Sequence, residues 1–262
     1  MSERVPVLEA RGISKSFGAV HALVDASMQI FPGEIVALIG DNGAGKSTLI
    51  NCLTGVFPPD SGELLFEGKP VHLHSPQDAR NLGIETVYQD LAVAPHLDSA
   101  ANIYLGREIM KPGILGKLGF VDDKRMMQET ESELERLRVR IPDPRRRVFT
   151  LSGGQRQSVA VARSVKWASK IVIMDEPTAA LGVAQSRMVL DLTREVRNSG
   201  IPVIFISHNM PHVFEVADRI VVLRLGTVVA ELDPKTDTVD QAVSWMTGST
   251  TTEPSTNGSR AA

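Results

Sequence analysis

One short glycine-rich stretch contains the residue types needed to bind phosphate and a divalent metal. It consists of Gly40, Asp41, Asn42, Gly43, Ala44, Gly45, Lys46 and Ser47, followed by Thr48. The spacing is typical of a phosphate-binding loop. In such a loop, glycines let backbone N–H groups close around phosphates, the lysine reaches the β and γ oxygens, and the serine binds magnesium. The sequence therefore predicts a nucleotide site in which Lys46 contacts phosphate and Ser47 contacts Mg²⁺.

Two carboxylates and a histidine directly follow other apolar runs. Asp175 and Glu176 come after residues 171–174, and His208 comes after residues 201–207. Because open parallel sheets bind ligands at the C-terminal ends of their strands, we expect both acids to reach the phosphates and His208 to lie at the same edge. In isolation, an acidic pair is an ordinary surface feature and a lone histidine is more often structural.

The elements that must position these residues predict an α/β fold with a mostly parallel sheet flanked by helices. Residues 34–39 predict a buried strand that enters the phosphate loop, and residues 47–53 predict the helix that leaves it. Residues 5–33 predict two short strands, and residues 62–68 predict a hairpin strand. An apolar stripe over residues 127–141 predicts an amphipathic helix that packs into a core.

Composition excludes several classes of function. The chain has 28 basic and 31 acidic residues, a net charge of −3, which disfavours broad nucleic-acid binding. Its single cysteine, Cys52, lies in an apolar run and predicts a buried small side chain. No run approaches the roughly 18 apolar residues of a membrane span, and no secretory leader is recognisable, so any membrane role is expected to come through a partner.

A third motif lies between the phosphate loop and the acidic pair, and it points to one family. It consists of Leu151, Ser152, Gly153, Gly154 and Gln155. Its hydroxyl and unencumbered amides stand at the start of a predicted helix over residues 155–166, a favourable place for an anion. The ordered set of phosphate loop, LSGGQ and apolar strand ending in two acids resembles the ATP-binding cassette (ABC) family from about residue 5 to residue 248.

The resemblance implies a fold, a ligand and an assembly. It implies a P-loop NTPase with an N-terminal antiparallel β subdomain and a helical subdomain, about residues 90–165, that carries LSGGQ. Residues 1–248 form a single ATPase domain in this interpretation, and the polar residues 249–262 are expected to be a disordered tail. The ligands are ATP and Mg²⁺. In the family, LSGGQ covers the γ-phosphate held by a facing subunit, so Ser152, Gly153, Gly154 and Gln155 are expected to complete a partner's site in a head-to-tail dimer.

The family also assigns roles to individual residues. Asp175 corresponds to the magnesium ligand, Glu176 to the residue that polarises the attacking water, and His208 to the switch histidine at the γ-phosphate. Gln89 matches the glutamine that reaches magnesium and relays nucleotide state to the membrane partner. Phe17 matches the aromatic that stacks on adenine. Its alternative role is that of a core residue, although the flanking Ser, Gly and Ala predict an exposed turn.

Three strings narrow the resemblance to the cassette subunits of bacterial monosaccharide importers for ribose, xylose and fructose. They are residues 87–90, 102–108 and 120–122. The resemblance implies transmembrane permease subunits, a second ATPase subunit, an indirect extracytoplasmic solute-binding protein, no nucleic acid, and a peripheral position on the cytoplasmic face of the inner membrane. An exporter ATPase, or an importer of a non-sugar solute, is the alternative.

Two further expectations concern coupling between subunits. Residues 89–97 are predicted to form the groove that receives a cytoplasmic helix of the permease, with apolar contacts from Leu91, Val93, Ala94 and Leu97. Gly182 stands where the family usually has an aspartate, which predicts a looser connection between the two ATP sites. ABC-type ATPases of chromosome maintenance are excluded, because only 61 residues separate Gln89 from Leu151 and leave no room for a long coiled coil.

Overall fold

Two β-sheets and the helices packed on them form the fold. The computed structural model describes residues 5–87, 93–179 and 181–249. In chain order the elements are β1 (Leu8–Phe17), β2 (Val20–Ile30), β3 (Ile35–Ile39), α1 (Lys46–Leu53), β4 (Ser61–Phe66), β5 (Lys69–Val71), α2 (Pro76–Asn81), β6 (Ile84–Val87), α3 (Ser99–Ile103), α4 (Ile114–Lys117), α5 (Asp123–Arg136), α6 (Gly153–Trp167), β7 (Ile171–Asp175), α7 (Val183–Asn198), β8 (Val203–Ile206), α8 (Met210–Val216), β9 (Arg219–Arg224), β10 (Thr227–Leu232) and α9 (Val239–Thr247).

The larger sheet has the strand order β10-β9-β3-β8-β7-β6. All neighbouring strands in it run parallel except β9 and β10, which pair antiparallel. Strands β3 and β8 are buried along their whole length, which is why both read as uninterrupted apolar runs rather than as alternating patterns. The predicted mostly parallel sheet with flanking helices is confirmed.

The smaller sheet is antiparallel, with the order β2-β1-β4-β5. It confirms the predicted N-terminal antiparallel subdomain, but its first two strands are 10 and 11 residues long rather than short. Their pairing continues through several register shifts between Ala10 and Ser16. Such irregularities bend and twist a strand without ending it, so local sequence breaks did not mark strand ends here.

The two faces of β3 pack into different hydrophobic clusters. Ile35, Ala37 and Ile39 belong to the cluster that includes residues of α5, α6 and α7. Val36 and Leu38 belong to the cluster formed with α1 and the antiparallel sheet, which also buries Cys52 as predicted. The strand that enters the phosphate loop is therefore held from both sides.

Helices α3, α5 and α6 pack together and carry the LSGGQ motif at the start of α6. The predicted stripe on α5 is mostly buried, but the helix ends at Arg136, earlier than the sequence pattern suggested. Arg138 adopts a φ of 54°, which stops the helix, and Leu137 is nonetheless buried beyond it. Helix α6 begins two residues earlier than predicted, at Gly153.

A polar network ties these three helices together around Glu129 of α5. The Tyr104 hydroxyl donates to the Glu129 carboxylate over 2.5 Å, and Lys166 of α6 donates to it over 2.9 Å. These two hydrogen bonds, with a further one from Arg125, lower the pKa of Glu129 to about 2. The network therefore stabilises the folded helical region as long as Glu129 is ionised.

Some sequence predictions fall outside the described residues. Gln89 and Leu91 lie in the gap at residues 88–92, and all but the first residue of the predicted tail lies beyond residue 249. The boundaries of the helical subdomain stay a prediction. Within residues 5–87, 93–179 and 181–249, no helix is both long enough and apolar enough to cross a bilayer.

Candidate functional site

Parallel strand ends bring the predicted chemical groups to one edge of the larger sheet. Leu38 of β3 pairs with Ile206 of β8, and Asp175 of β7 pairs with the same Ile206. The residues that directly follow β3 and β8 begin the phosphate loop and lead to His208. Three segments distant in sequence therefore deliver their side chains to one place, as the ligand-binding rule for open parallel sheets predicts.

The phosphate loop packs so closely on neighbouring strands that two of its positions have room only for glycine. Gly45 adopts a φ of 104°, and a Cβ atom there would lie 2.6 Å from the carbonyl oxygen of Ala22. At Gly40 a Cβ atom would lie 2.3 Å from the carbonyl oxygen of Leu223. The loop is thus pressed against both β2 and β9, and a side chain at either glycine would push it away from these strands.

The rest of the loop leaves its backbone open toward solvent. Asp41, Asn42 and Gly43 are exposed, Ala44 is buried, and the Asp41 carboxylate accepts the Asn42 backbone N–H over 2.7 Å. Helix α1 begins at Lys46 without a side-chain cap. The unpaired amides of its first turn, which includes Ser47 and Thr48, are the kind of donors that bind phosphate oxygens.

Lys46 bridges the loop from inside. Its Nζ atom donates to the carbonyl oxygen of Gly40 over 2.7 Å and to that of Asp41 over 3.0 Å. Burial lowers the pKa of the Lys46 ammonium, while the carboxylates of Glu176, Asp41 and Asp175 oppose this shift. A positive charge is therefore held between the loop and the acidic strand end, at a position suited to phosphate.

Glu176 is held in an unusual conformation against the end of β8. Its φ is 48°, in the left-handed region that a non-glycine residue rarely adopts, at a cost of about 1–3 kcal/mol. One carboxylate oxygen accepts the His208 backbone N–H over 3.0 Å and lies 2.8 Å from His208 Nδ1. The other accepts the Ser207 hydroxyl over 3.3 Å. Three contacts therefore fix the orientation of this carboxylate.

The two acids differ in their surroundings. The pKa of Asp175 is raised mainly by burial and to a smaller extent by the negative charge of Glu176. The positive charge of Lys46 opposes this shift. A bound cation would relieve the repulsion between the two carboxylates. The hydroxyl of Ser47 and the carboxylate of Asp175 are hard oxygen donors of the type that Mg²⁺ prefers, so they fit this ion.

The described residues contain no group of three or more His, Cys, Asp or Glu side chains that could hold a metal by themselves. A magnesium site of the phosphate type does not require such a group, because Mg²⁺ there binds one or two protein oxygens and takes its other ligands from substrate phosphates and water. Gln89, the other predicted metal ligand, lies outside the described residues.

Phe17 stands at the end of β1, next to the antiparallel sheet. Its side chain is 49% exposed, in agreement with the turn predicted from its neighbours. The ring packs edge-on against Phe57 with centroids 5.3 Å apart, and the Lys15 Nζ atom lies 5.8 Å from the Phe17 centroid. An exposed ring with one braced edge offers a face for stacking on a base.

The LSGGQ segment forms the start of α6. Ser152 is the N-cap, and its hydroxyl and the Gln155 side chain exchange hydrogen bonds with each other's backbone N–H. A Cβ atom on Gly154 would lie 3.0 Å from the side chain of Gln185 on α7. Gly154, which is buried, therefore allows close packing of the two helices, while Ser152 is exposed at the tip.

Gly182 is the N-cap of α7 and lacks the carboxylate usual at this position in the family that the sequence resembles. Its backbone N–H donates to Oε1 of Gln185 over 3.1 Å, which is the half of a capping box that needs no side chain at Gly182.

Two residues contribute to the site although the sequence alone does not identify them. Ser207, fully buried, donates to Glu176, and Phe57 braces Phe17. The serine was visible only as the last residue before His208. Nothing local in the sequence marks Phe57, because its contact depends on how the turn before β4 packs.

Comparisons with known proteins find similar sequences and structures over most of the chain. A family model described as ABC transporter matches residues 23–179. The fructose import ATP-binding protein FrcA of Rhizobium meliloti is 54% identical over 93% of this chain and 94% of that protein. The xylose/arabinose import ATP-binding protein XylG of Sulfolobus acidocaldarius is 50% identical over 92% and 94%. The solved ADP conformation of an ATP-binding cassette of an ABC transporter has a TM-score of 0.76 and 25% identity, and the match covers 92% of this chain and 95% of that one.

Proposed function

Because the chain belongs to the ABC transporter family, we propose that it is the ATP-hydrolysing subunit of a membrane transporter that imports a monosaccharide. The observation that carries the ATPase part is the Glu176–His208 pair fixed at the sheet edge that also bears the phosphate loop. The import part is supported by relatives that are named as fructose and xylose/arabinose import ATP-binding proteins.

The residues of the site divide the work between binding and chemistry. Backbone amides of the loop and of α1 receive the phosphates, and Lys46 contributes its charge at the β and γ positions. Phe17 stacks on the adenine. Ser47, Asp175 and Gln89 are the proposed magnesium ligands, and the bound ion neutralises charge on the phosphates.

Glu176 is the proposed group that orients and polarises the attacking water. A general base must be oriented before it is useful, and the contacts from Ser207 and His208 hold the Glu176 carboxylate in one place. His208 is 74% exposed at its side chain, so its ring is free to contact the γ-phosphate while its backbone N–H stays on Glu176. We propose that His208 senses the nucleotide when its ring leaves Glu176 and contacts the γ-phosphate.

A closed site requires two copies of the cassette. One copy supplies the phosphate loop, and the other supplies Ser152, Gly153, Gly154 and Gln155 to the γ-phosphate. Two-fold pairing completes both sites at once, which is the expected form of an isologous dimer. The proposed location is the cytoplasmic face of the cell membrane, where the dimer binds permease subunits and serves an extracytoplasmic binding protein indirectly.

The proposed permease groove includes residues 89–97, of which 93–97 are described. The Asn102 side chain holds Ala94 by accepting its N–H over 2.7 Å and donating to its carbonyl over 3.0 Å. Val93 is half-buried against the core, whereas Leu97 is 38% exposed. Within this part, Leu97 is therefore the side chain best placed for a partner, and α3 gives the segment a fixed shape.

Transport by a reconstituted complex tests the proposal. The chain is purified from membranes together with its permease, placed in proteoliposomes, and assayed for ATP-dependent uptake of fructose, xylose and ribose in the presence of the binding protein. We expect uptake of one of these sugars that Lys46→Ala abolishes and that Lys235→Ala, which changes an exposed lysine before α9, leaves intact. ATP-dependent efflux, or uptake of a non-sugar solute alone, would establish the alternative instead.

A further inference from the structure

The segment between α3 and α5 forms an exposed apolar hairpin, which we define as residues 110–120. Its large apolar side chains are between 49% and 77% exposed. They are Met110, Ile114, Leu115, Leu118 and Phe120. Single exposed apolar residues are ordinary on a protein surface, but five within eleven residues are a local concentration of the kind that contacts another phase or partner.

Backbone hydrogen bonds hold the apolar hairpin in a defined conformation. Met110 bridges to Val121, and the Lys111 N–H donates to the Phe120 carbonyl over 2.9 Å. The Phe120 N–H donates to the Leu115 carbonyl over 3.0 Å. These bonds satisfy backbone groups inside the turn, so the segment can enter an apolar environment with a reduced penalty for unpaired polar groups.

The charge of the apolar hairpin has one sign. Lys111 and Lys117 are both exposed, and residues 110–120 contain no acidic residue. Long lysine stems lie along apolar surface while their ammonium groups reach outward, an arrangement that suits a layer of lipid phosphates above an acyl region. Each lysine near an anionic membrane surface contributes attraction that salt screens.

The base of the apolar hairpin is anchored to the rest of the fold. Arg107, which precedes it, donates to Glu85 of β6 over 2.7 Å and stacks 4.8 Å from the ring centroid of Trp167 in α6. The hairpin therefore moves as part of the lobe that also holds the proposed permease groove. A protein bound to a permease through this groove would gain a second contact with the membrane through the apolar hairpin.

We propose that the apolar hairpin inserts into the headgroup region of an anionic lipid bilayer. The exposed isoleucine, leucines and phenylalanine enter the boundary between headgroups and acyl chains, and the two lysines bind lipid phosphates. This contact goes beyond the proposed ATPase function and needs neither nucleotide nor permease.

Vesicle binding by the purified full chain tests the proposal without transporter or ATP. Co-sedimentation is measured with vesicles of phosphatidylcholine alone and with phosphatidylglycerol added. We expect binding only to the anionic vesicles. The double variant Ile114→Ser/Leu118→Ser should bind about tenfold more weakly or worse, and each lysine changed to glutamine in Lys111→Gln and Lys117→Gln should lose about fivefold.

Matched controls use exposed residues of α9 and of the chain just before it. Val239 and Val243 are 37% and 41% exposed, and Lys235 is exposed as well. The variants Val239→Ser/Val243→Ser and Lys235→Gln remove comparable chemical groups elsewhere and should bind as the wild type does.

ATPase activity of every variant reports correct folding and tests the proposed function separately. Failure of the wild-type chain to bind anionic vesicles would overturn the proposal and leave the hairpin as a protein contact. Equal losses in the control variants would also overturn it.

Discussion

Replacing Glu176 with glutamine should stop ATP turnover while leaving ATP binding intact. The amide has nearly the same size and keeps one oxygen, but it cannot accept a proton from water. Loss of a general base reduces the rate by about 10²–10⁴, which corresponds to about 2.7–5.5 kcal/mol in the activation barrier.

The structure predicts a much smaller effect of Glu176→Gln on stability. The oxygen that remains in the amide can still accept the His208 backbone N–H, which lies 3.0 Å from the carboxylate in the wild type. The new NH₂ group faces the Ser207 hydroxyl, which can rotate to accept its hydrogen. Only the charge assistance of these bonds is lost, which costs about 1 kcal/mol. The barrier change therefore exceeds the stability change, and unfolding cannot explain the lost activity.

Three measurements on the same preparation separate these effects. Single-turnover hydrolysis reports chemistry, fluorescence titration reports ATP affinity, and thermal unfolding reports stability. The matched control is Glu215→Gln. It alters a carboxylate that lies away from the site and accepts a hydrogen bond of 2.8 Å from Arg194. We expect the control to hydrolyse ATP at close to the wild-type rate. Near-normal hydrolysis by Glu176→Gln, or loss of its ATP binding at unchanged stability, would refute the assignment.

Three further predictions concern affinity, assembly and pH. Titration with ATP and with tripolyphosphate should show that Phe17→Ala loses about 1–3 kcal/mol for ATP alone, whereas Lys46→Ala weakens both ligands; equal losses for Phe17→Ala would exclude stacking. Light scattering should detect an ATP-dependent dimer of Glu176→Gln that adding Ser152→Arg prevents, and a monomer at saturating ATP, with or without permease, would contradict the two-copy site. The folded pKa of Glu129 lies at about 2, below that of an unfolded carboxyl, so its contribution is present above about pH 5 and is lost as the pH falls toward 2. Between about pH 2 and pH 5 the free energy of unfolding should change by about 1–2 kcal/mol less in Glu129→Gln than in the wild type, an amount that allows for screening by solvent. Identical acid unfolding curves for the variant and the wild type would disprove this.

Features set by local spacing were the ones that the sequence predicted well. The strand β3, the loop with Lys46 and the helix α1 follow from apolar runs and glycines that lie close together in the chain. The meeting of Glu176 with His208 required one more rule, that parallel strands end at the same edge. Each of these predictions needed only local sequence patterns and one general rule about sheets.

Features decided by tertiary contacts were not predictable. The left-handed backbone of Glu176 accompanies its hydrogen bonds to Ser207 and His208, which lie far along the chain. The contact between Phe17 and Phe57 depends on the packing of a turn, and α5 ends at Arg136 although its apolar stripe continues. The backbone N–H of Gly182 finds its acceptor in Gln185 of the same helix, a helix-start arrangement that no composition rule reveals, and the looser connection between the two ATP sites stays a prediction.

The order of strands in the larger sheet has a consequence for synthesis of the chain. Strand β3 lies between β8 and β9, so Val36 pairs with Ile204 on one side and with Arg219 on the other. Both partners leave the ribosome long after the phosphate loop does. The apolar strand β3 therefore remains unpaired while most of the chain is synthesised. Contacts between residues so far apart in the sequence also form slowly. We expect nascent chains that end before β9 to be recognised by chaperones and to be unable to retain nucleotide.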